Sequence, residues 1–184
     1  VSYGRSQDSW MNWVFFDTPT PGRENSGSGG GIVLPAPASS KKGGVFDAPF
    51  TVQLSSPVAG AMIRYTLDAN DPTEQSPLYE IPIEINTTTI LKASLFREED
   101  LTSVPLTCSY FITSENYENP LVSIVAPPDD LFGERGLIKL NSSSLEIAAH
   151  FEYIDDRQTK YASGTGIQLH SVGSGKPTSM RFYA

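Results

Sequence analysis

The feature that most restricts this chain is a period of two in its apolar residues, sustained from position 50 to position 112. Phe50, Val52 and Leu54 alternate with Thr51 and Gln53, and Ile63, Tyr65 and Leu67 alternate with Arg64 and Thr66. Ile81, Ile83 and Ile85 alternate with Pro82 and Glu84; Leu91, Ala93 and Leu95 with Lys92 and Ser94; Cys108, Tyr110 and Ile112 with Ser109 and Phe111. Successive side chains of a strand point to opposite faces, so each run predicts a half-buried antiparallel strand. Ser55-Ser56-Pro57, Asn70-Asp71-Pro72 and Glu98-Glu99-Asp100 supply turns between the runs. One sheet of such strands leaves an apolar face uncovered, so two sheets must close on each other as a small β-sandwich.

Composition agrees and narrows the function classes. The 184 residues include 15 Gly and 14 Pro, which suits short elements joined by turns better than a helix bundle. The net charge is −8, and phosphate binding needs a basic face, so nucleic acid is not expected as a partner. No apolar run is long enough to span a membrane as a helix. The single cysteine, Cys108, allows no internal disulfide and reads as a buried strand thiol. Residue 1 is Val, with no basic start and apolar stretch after it, so the chain reads as a piece of a longer protein.

Four segments are distinguished. Residues 1–22 hold Trp10, Trp13, Phe15, Phe16 and Tyr3, more aromatic surface than so short a stretch can bury alone. Ser-Tyr-Gly-Arg at the start, then Trp13, Phe16, Pro19-Thr20-Pro21-Gly22 and Asn25, resembles the end of the lamin-tail domain, an immunoglobulin-like sandwich of bacterial surface and secreted proteins. Residues 23–31 have the Gly/Ser composition of a flexible linker.

Residues 32–113 carry Gly44-Val45-Phe46, Pro49-Phe50-Thr51-Val52-Gln53-Leu54, Tyr65-Thr66-Leu67-Asp68-Ala69-Asn70-Asp71-Pro72-Thr73, Tyr79, Pro82-Ile83-Glu84-Ile85 and Leu91-Lys92-Ala93. This wording closely resembles the fibronectin-type-III-associated module, also known as the C-terminal domain of chitobiase and β-hexosaminidase. The resemblance implies structural roles for Tyr65, Thr66, Asp68, Pro72, Thr73, Tyr79, Pro82 and Ala93. Ala69 stands where the family usually has Gly, at a turn where positive φ disfavours a side chain. With its full set of strands, this segment is expected to fold by itself.

In residues 114–184, strands are expected at Leu121–Val125, Leu145–Tyr153, Gly166–His170 and Met180–Tyr183, with a turn or 3₁₀ piece at Asp129–Gly133. Pro120, Val122, Ser123, Ile124, Asp129, Leu131 and Phe132, then Gly166, Ile167, His170, Ser174, Ser179, Arg181, Tyr183 and Ala184, resemble the opening of the spore-coat protein H (CotH) kinase family. Gln168, Ser171, Gly175 and Thr178 depart from that pattern; Thr178 takes the place of the family lysine, for which Lys176 is the nearest substitute. The resemblance covers only the start of a kinase and implies that the acidic catalytic residues lie elsewhere. The segment is therefore expected not to bind ATP.

Local motifs offer little chemistry. Gly173-Ser174-Gly175-Lys176 fails as a phosphate loop, because His170 stands where the first Gly belongs and Pro177 where Ser or Thr would hold Mg²⁺. Asp68, Asn70 and Asp71 open like a calcium loop, but Thr73 and Tyr79 occupy its Gly and Glu positions. His150 and His170 alone cannot make a metal site. No catalytic residue, metal or cofactor is expected. The fold class expected is all-β: a central immunoglobulin-like or fibronectin-III-like sandwich flanked by incomplete β-rich segments. The function expected is that of a non-catalytic spacer or interaction region of a secreted or cell-surface bacterial protein. Its partners would be other domains of the same chain and a cell-wall glycan or surface protein. Two alternatives stand beside it. One is the accessory region and first strands of a CotH-type protein kinase; the other is a carbohydrate-binding module beside a glycan-processing enzyme, with Tyr65 and Tyr79 as stacking candidates.

Overall fold

The computed structural model describes residues 2–5, 13–16, 19–24, 33–98, 100–115, 117–140, 145–170 and 179–183. Ser174 and Lys176 of the CotH-like motif and most of the Gly/Ser stretch lie outside the described residues. The elements in chain order are strands β1 (Ser2–Arg5), β2 (Trp13–Phe16), β3 (Ala38–Ser39), β4 (Gly44–Phe46), β5 (Phe50–Val52), β6 (Leu54–Ser55), β7 (Met62–Thr66), β8 (Ile83–Ile85), β9 (Thr89–Phe96), β10 (Leu106–Ile112) and β11 (Leu121–Val125). Helices α1 (Pro128–Phe132) and α2 (Leu137–Leu140) come next, then β12 (Glu146–Asp155), β13 (Gln158–His170) and β14 (Ser179–Tyr183). The fold is all-β and sandwich-like, with two helices of a single turn or so among the described residues.

In the sandwich, β4, β10, β9 and β7 lie side by side. Two small ladders, β3 with β6 and β5 with β8, complete the other layer. Val52, Leu54, Ile63, Ile83, Ile85, Leu91, Ala93, Leu95, Cys108 and Tyr110 bury between them, joined by Leu34. These are the inward positions of the alternating runs, and burial of each larger side chain contributes about 1.5–3 kcal/mol. Every member of this core lies between Leu34 and Tyr110.

Three expectations are corrected. Leu67 is 43% exposed, not buried beside Ile63, because β7 ends at Thr66 and the chain turns there. Ile81 is 75% exposed and outside β8; Pro82 has no N–H to give a ladder, so pairing starts at Ile83. The second face of β9 and β10 is not open to solvent: Lys92, Ser94, Thr107 and Ser109 are all buried.

What covers that face is the chain that follows. Strands β11, β12 and β13 form a three-stranded antiparallel layer, and β14 adds to β13. The layer joins the large sheet through one register pair, Gln158 with Gly44. Its inner face presents Ser123, Glu152 and Ile154, all buried. Its outer face carries Ile124, Ile147, Ala149 and Ile167, which pack with Leu131, Leu137, Leu145 and Leu169 in a second apolar cluster. Pro128 starts α1 at the first helical position, where its missing N–H costs nothing. The expected turn at Asp129–Gly133 is thus mainly a short α-helix.

Candidate functional site

The family-like residues of the central segment support a loop rather than line a site. Tyr65 is half-buried against the core, sits opposite Ala93, and its N–H donates to the Pro77 carbonyl at 3.1 Å. The Tyr79 N–H donates to the Ile63 carbonyl at 2.9 Å, and its ring also packs on the core. Thr66 Oγ1 donates to the Asn70 carbonyl, and Asp68 Oδ1 accepts the Asn70 N–H at 3.1 Å. Thr73 and Ser76 close the next turn; Pro72 is buried and Pro82 exposed. The acidic residues at 68 and 71 therefore serve an Asx turn and an ion pair. Among the described residues no group of His, Cys, Asp and Glu is placed to hold a metal.

The most structured polar constellation lies where the β11–β13 layer meets the sandwich. Glu152 is 1% exposed, and its Oε2 accepts the backbone N–H of Ser109 at 2.8 Å. Thr159 Oγ1 donates to Oε1 at 3.4 Å. Beside it the hydroxyls of Ser109 and Ser123 share a 2.7 Å hydrogen bond. Gly43 makes room for the carboxylate: a Cβ there would stand 2.4 Å from Glu152 Oε1 and 2.9 Å from the Ser109 carbonyl oxygen. Burial raises the Glu152 pKa above its ordinary value, against the hydrogen bonds from Ser109 and Thr159, which lower it.

The β12–β13 turn fixes this meeting point. Asp156 and Arg157 have φ of 48° and 61°, as a two-residue hairpin with a type I′ turn requires. The Arg157 carbonyl accepts the Val45 N–H at 2.9 Å, and the Gly43 carbonyl accepts the Thr159 N–H at 3.1 Å. The Arg157 guanidinium reaches Asp47 at 2.6 Å and the carbonyls of Thr113 and Glu115 at 3.2 Å each.

A cleft of about 270 Å³ opens along the same boundary, between Lys92, Thr107 and Pro105 on one side and His150, Asp130 and Thr165 on the other. The Lys92 ammonium, 7% exposed, is paired with Asp71. His150 Nε2 is buried and has no hydrogen-bond partner among the described residues. Burial, with the Lys92 charge second, lowers the His150 pKa. Cys108 lies on the opposite face of β10, inside the sandwich core, and burial pushes its thiol up to about 11. That makes it inert rather than nucleophilic.

Of the CotH-like residues, Gly166, Ile167 and His170 fall on β13, and Ser179 and Arg181 on β14; the two strands pair, with Gly166 opposite Tyr183 and His170 opposite Ser179. Ile167 is fully buried in the outer apolar cluster. Glu152, Gly43, Arg157 and Thr159 were not singled out from the sequence. The available signal was a lone acid at an inward position of a strand otherwise reading Ile-Ala-Ala-His-Phe-Glu-Tyr-Ile.

No curated protein and no solved structure matches this chain. Residues 41–107, spanning β4 to the start of β10, match the family model of the Chitobiase/beta-hexosaminidase C-terminal domain, and the central sandwich is similar to that domain.

Proposed function

We propose that the chain is a non-catalytic spacer and interaction region of a secreted or cell-surface multidomain bacterial protein. In this reading a lamin-tail-like end precedes the chitobiase-like sandwich, a CotH-like beginning follows it, and the sandwich holds its neighbours in fixed relation. The observation that supports it is the boundary itself. The face of β10 that a free-standing module would offer to a ligand is met by the next segment through Glu152 and Ser123, and Arg157 ties that segment to Asp47 beyond β4. Backbone relaxation of amides across residues 33–170 tests it. A single rotational correlation time is expected; separate times for the sandwich and for β11–β13 would remove the spacer role. Retention on insoluble chitin or peptidoglycan would favour a carbohydrate-binding module instead.

A second reading is kept because the two CotH-like strand motifs lie side by side in β13 and β14. It makes the chain the accessory region and first strands of an atypical protein kinase. Titration with Mg-ATP is expected to show no saturable binding by this chain. Saturable binding abolished by Lys176→Ala would favour the second reading.

A further inference from the structure

The inner face of β12 places two ionisable residues against the sandwich, His150 and Glu152, two positions apart and so on the same side of the strand. Each is held where charge is costly, and the charges they would carry have opposite sign. His150 Nε2 is enclosed with no hydrogen-bond partner among the described residues, so a proton there meets no acceptor among them. The charged groups lining its cleft are Lys92 from β9, Asp71 from the loop after β7, and Asp130 from α1; Lys92 is itself buried and already paired with Asp71. Glu152 is enclosed between the Gly43 and Ser109 backbones, with Cys108, Tyr110, Lys42, Lys160 and Tyr161 as its ionisable neighbours. Both residues become solvated if the β11–β13 layer lifts away.

We infer that His150 and Glu152 form a pH-responsive clasp that regulates docking of the β11–β13 layer on the sandwich, with acid opening it through His150 and alkali through Glu152. The inference concerns the joint itself and stands whether or not the joint serves as a spacer. The signs follow from linkage. Docking lowers the His150 pKa below its ordinary 6.5, so its contribution is complete above 6.5 and is lost as pH falls through the docked value. Docking raises the Glu152 pKa above its ordinary 4.5, so its contribution is complete below 4.5 and is lost as pH rises through the docked value. In the unaltered chain the two slopes oppose each other, so each is read in a variant that lacks the other.

The readout is hydrogen exchange of two amides that cross the boundary, Ser109 N–H to Glu152 and Thr159 N–H to Gly43, corrected for intrinsic rates. In the full chain carrying Glu152→Gln, the opening constant should rise by up to about tenfold per pH unit as pH falls below 6.5, then level off. In His150→Phe it should rise with a similar slope as pH increases above 4.5. The double variant should be flat. Absence of either slope, or the same sign in both single variants, overturns the clasp. If either single variant leaves Ser109 unprotected at every pH, the imidazole titration of His150 in the unaltered chain decides. A midpoint below 6.5 supports the clasp, and a midpoint at or above 6.5 overturns it.

Discussion

Ala69 has a φ of 68°, in the left-handed region where a Cβ crowds the following carbonyl. The turn from Thr66 to Asn70 keeps the geometry of a glycine turn while carrying a methyl group. Ala69→Gly should therefore raise stability by about 0.5–1 kcal/mol, the relief of strain exceeding the added freedom of the unfolded chain. Chemical denaturation reads this directly, and a loss of stability would mean the methyl packs usefully. Tyr65 was legible from its alternation as an inward residue, but it is half-buried, packed against the core rather than enclosed in it. Tyr65→Ala should cost about 2–3 kcal/mol, less than a fully buried aromatic. Leu67→Ala should cost under about 0.5 kcal/mol, since that side chain is 43% exposed. Cys108 offers a fourth test. With its thiol pushed up to about 11, it should resist thiol reagents at pH 8 and react only at the rate of global unfolding. Fast labelling of the native chain would place it outside the core.

At the level of elements, the strands that face the apolar core were legible, and the burial of the second face of β9 and β10 was not. Alternation identified β5, β7, β9 and β10 because Leu, Ile and Val mark their inner side. It also assigned Lys92, Ser94 and Ser109 to the side away from the core, which is correct for direction and wrong for burial. A polar residue reads the same in sequence whether water or another polar layer meets it. Only the partner strand distinguishes the two, and Ser123 and Glu152 lie 14 and 43 positions away from Ser109. The first half of β13 was missed for a different reason: from Thr159 to Gly166, Tyr161 is the one large apolar side chain, and Lys160, Tyr161, Ala162 and Gly164 are exposed, so no apolar core imposes an alternation there. The Gly43 notch makes the layer contact testable by sterics alone. Gly43→Ala drives a Cβ into the Glu152 carboxylate and the Ser109 carbonyl oxygen, and should cost about 1–3 kcal/mol. The Ser109 amide should lose protection while amides of β7, remote from the boundary, keep theirs. Equal loss in both would mean that Gly43 matters for the whole sandwich.

Across the whole molecule, the apolar core of the sandwich is complete within residues 34–110, yet its outer polar face is finished by residues 121–170. A chain cut after residue 113 should fold, with a midpoint several degrees lower than the full chain, since a loss of 1 kcal/mol shifts a domain of this size by about 4–8 °C. Equal midpoints would show that the boundary contributes nothing to stability. The parallel pairing of β4 with β10 has a mechanical meaning. Gly44 lies beside Tyr110 and Phe46 beside Ile112, so the chain enters this pair at one end and leaves at the other. Tension applied to the two ends of the sandwich then pulls the strands past each other along their length, loading their hydrogen bonds together rather than peeling them one at a time. The Thr113 N–H to Phe46 carbonyl bond, 2.9 Å long, extends that ladder at its exit. A sandwich built this way resists stretching along the chain far better than prying across it. Single-molecule pulling from residues 33 and 114 should show one abrupt rupture, at a higher force than pulling across the β7–β9 edge.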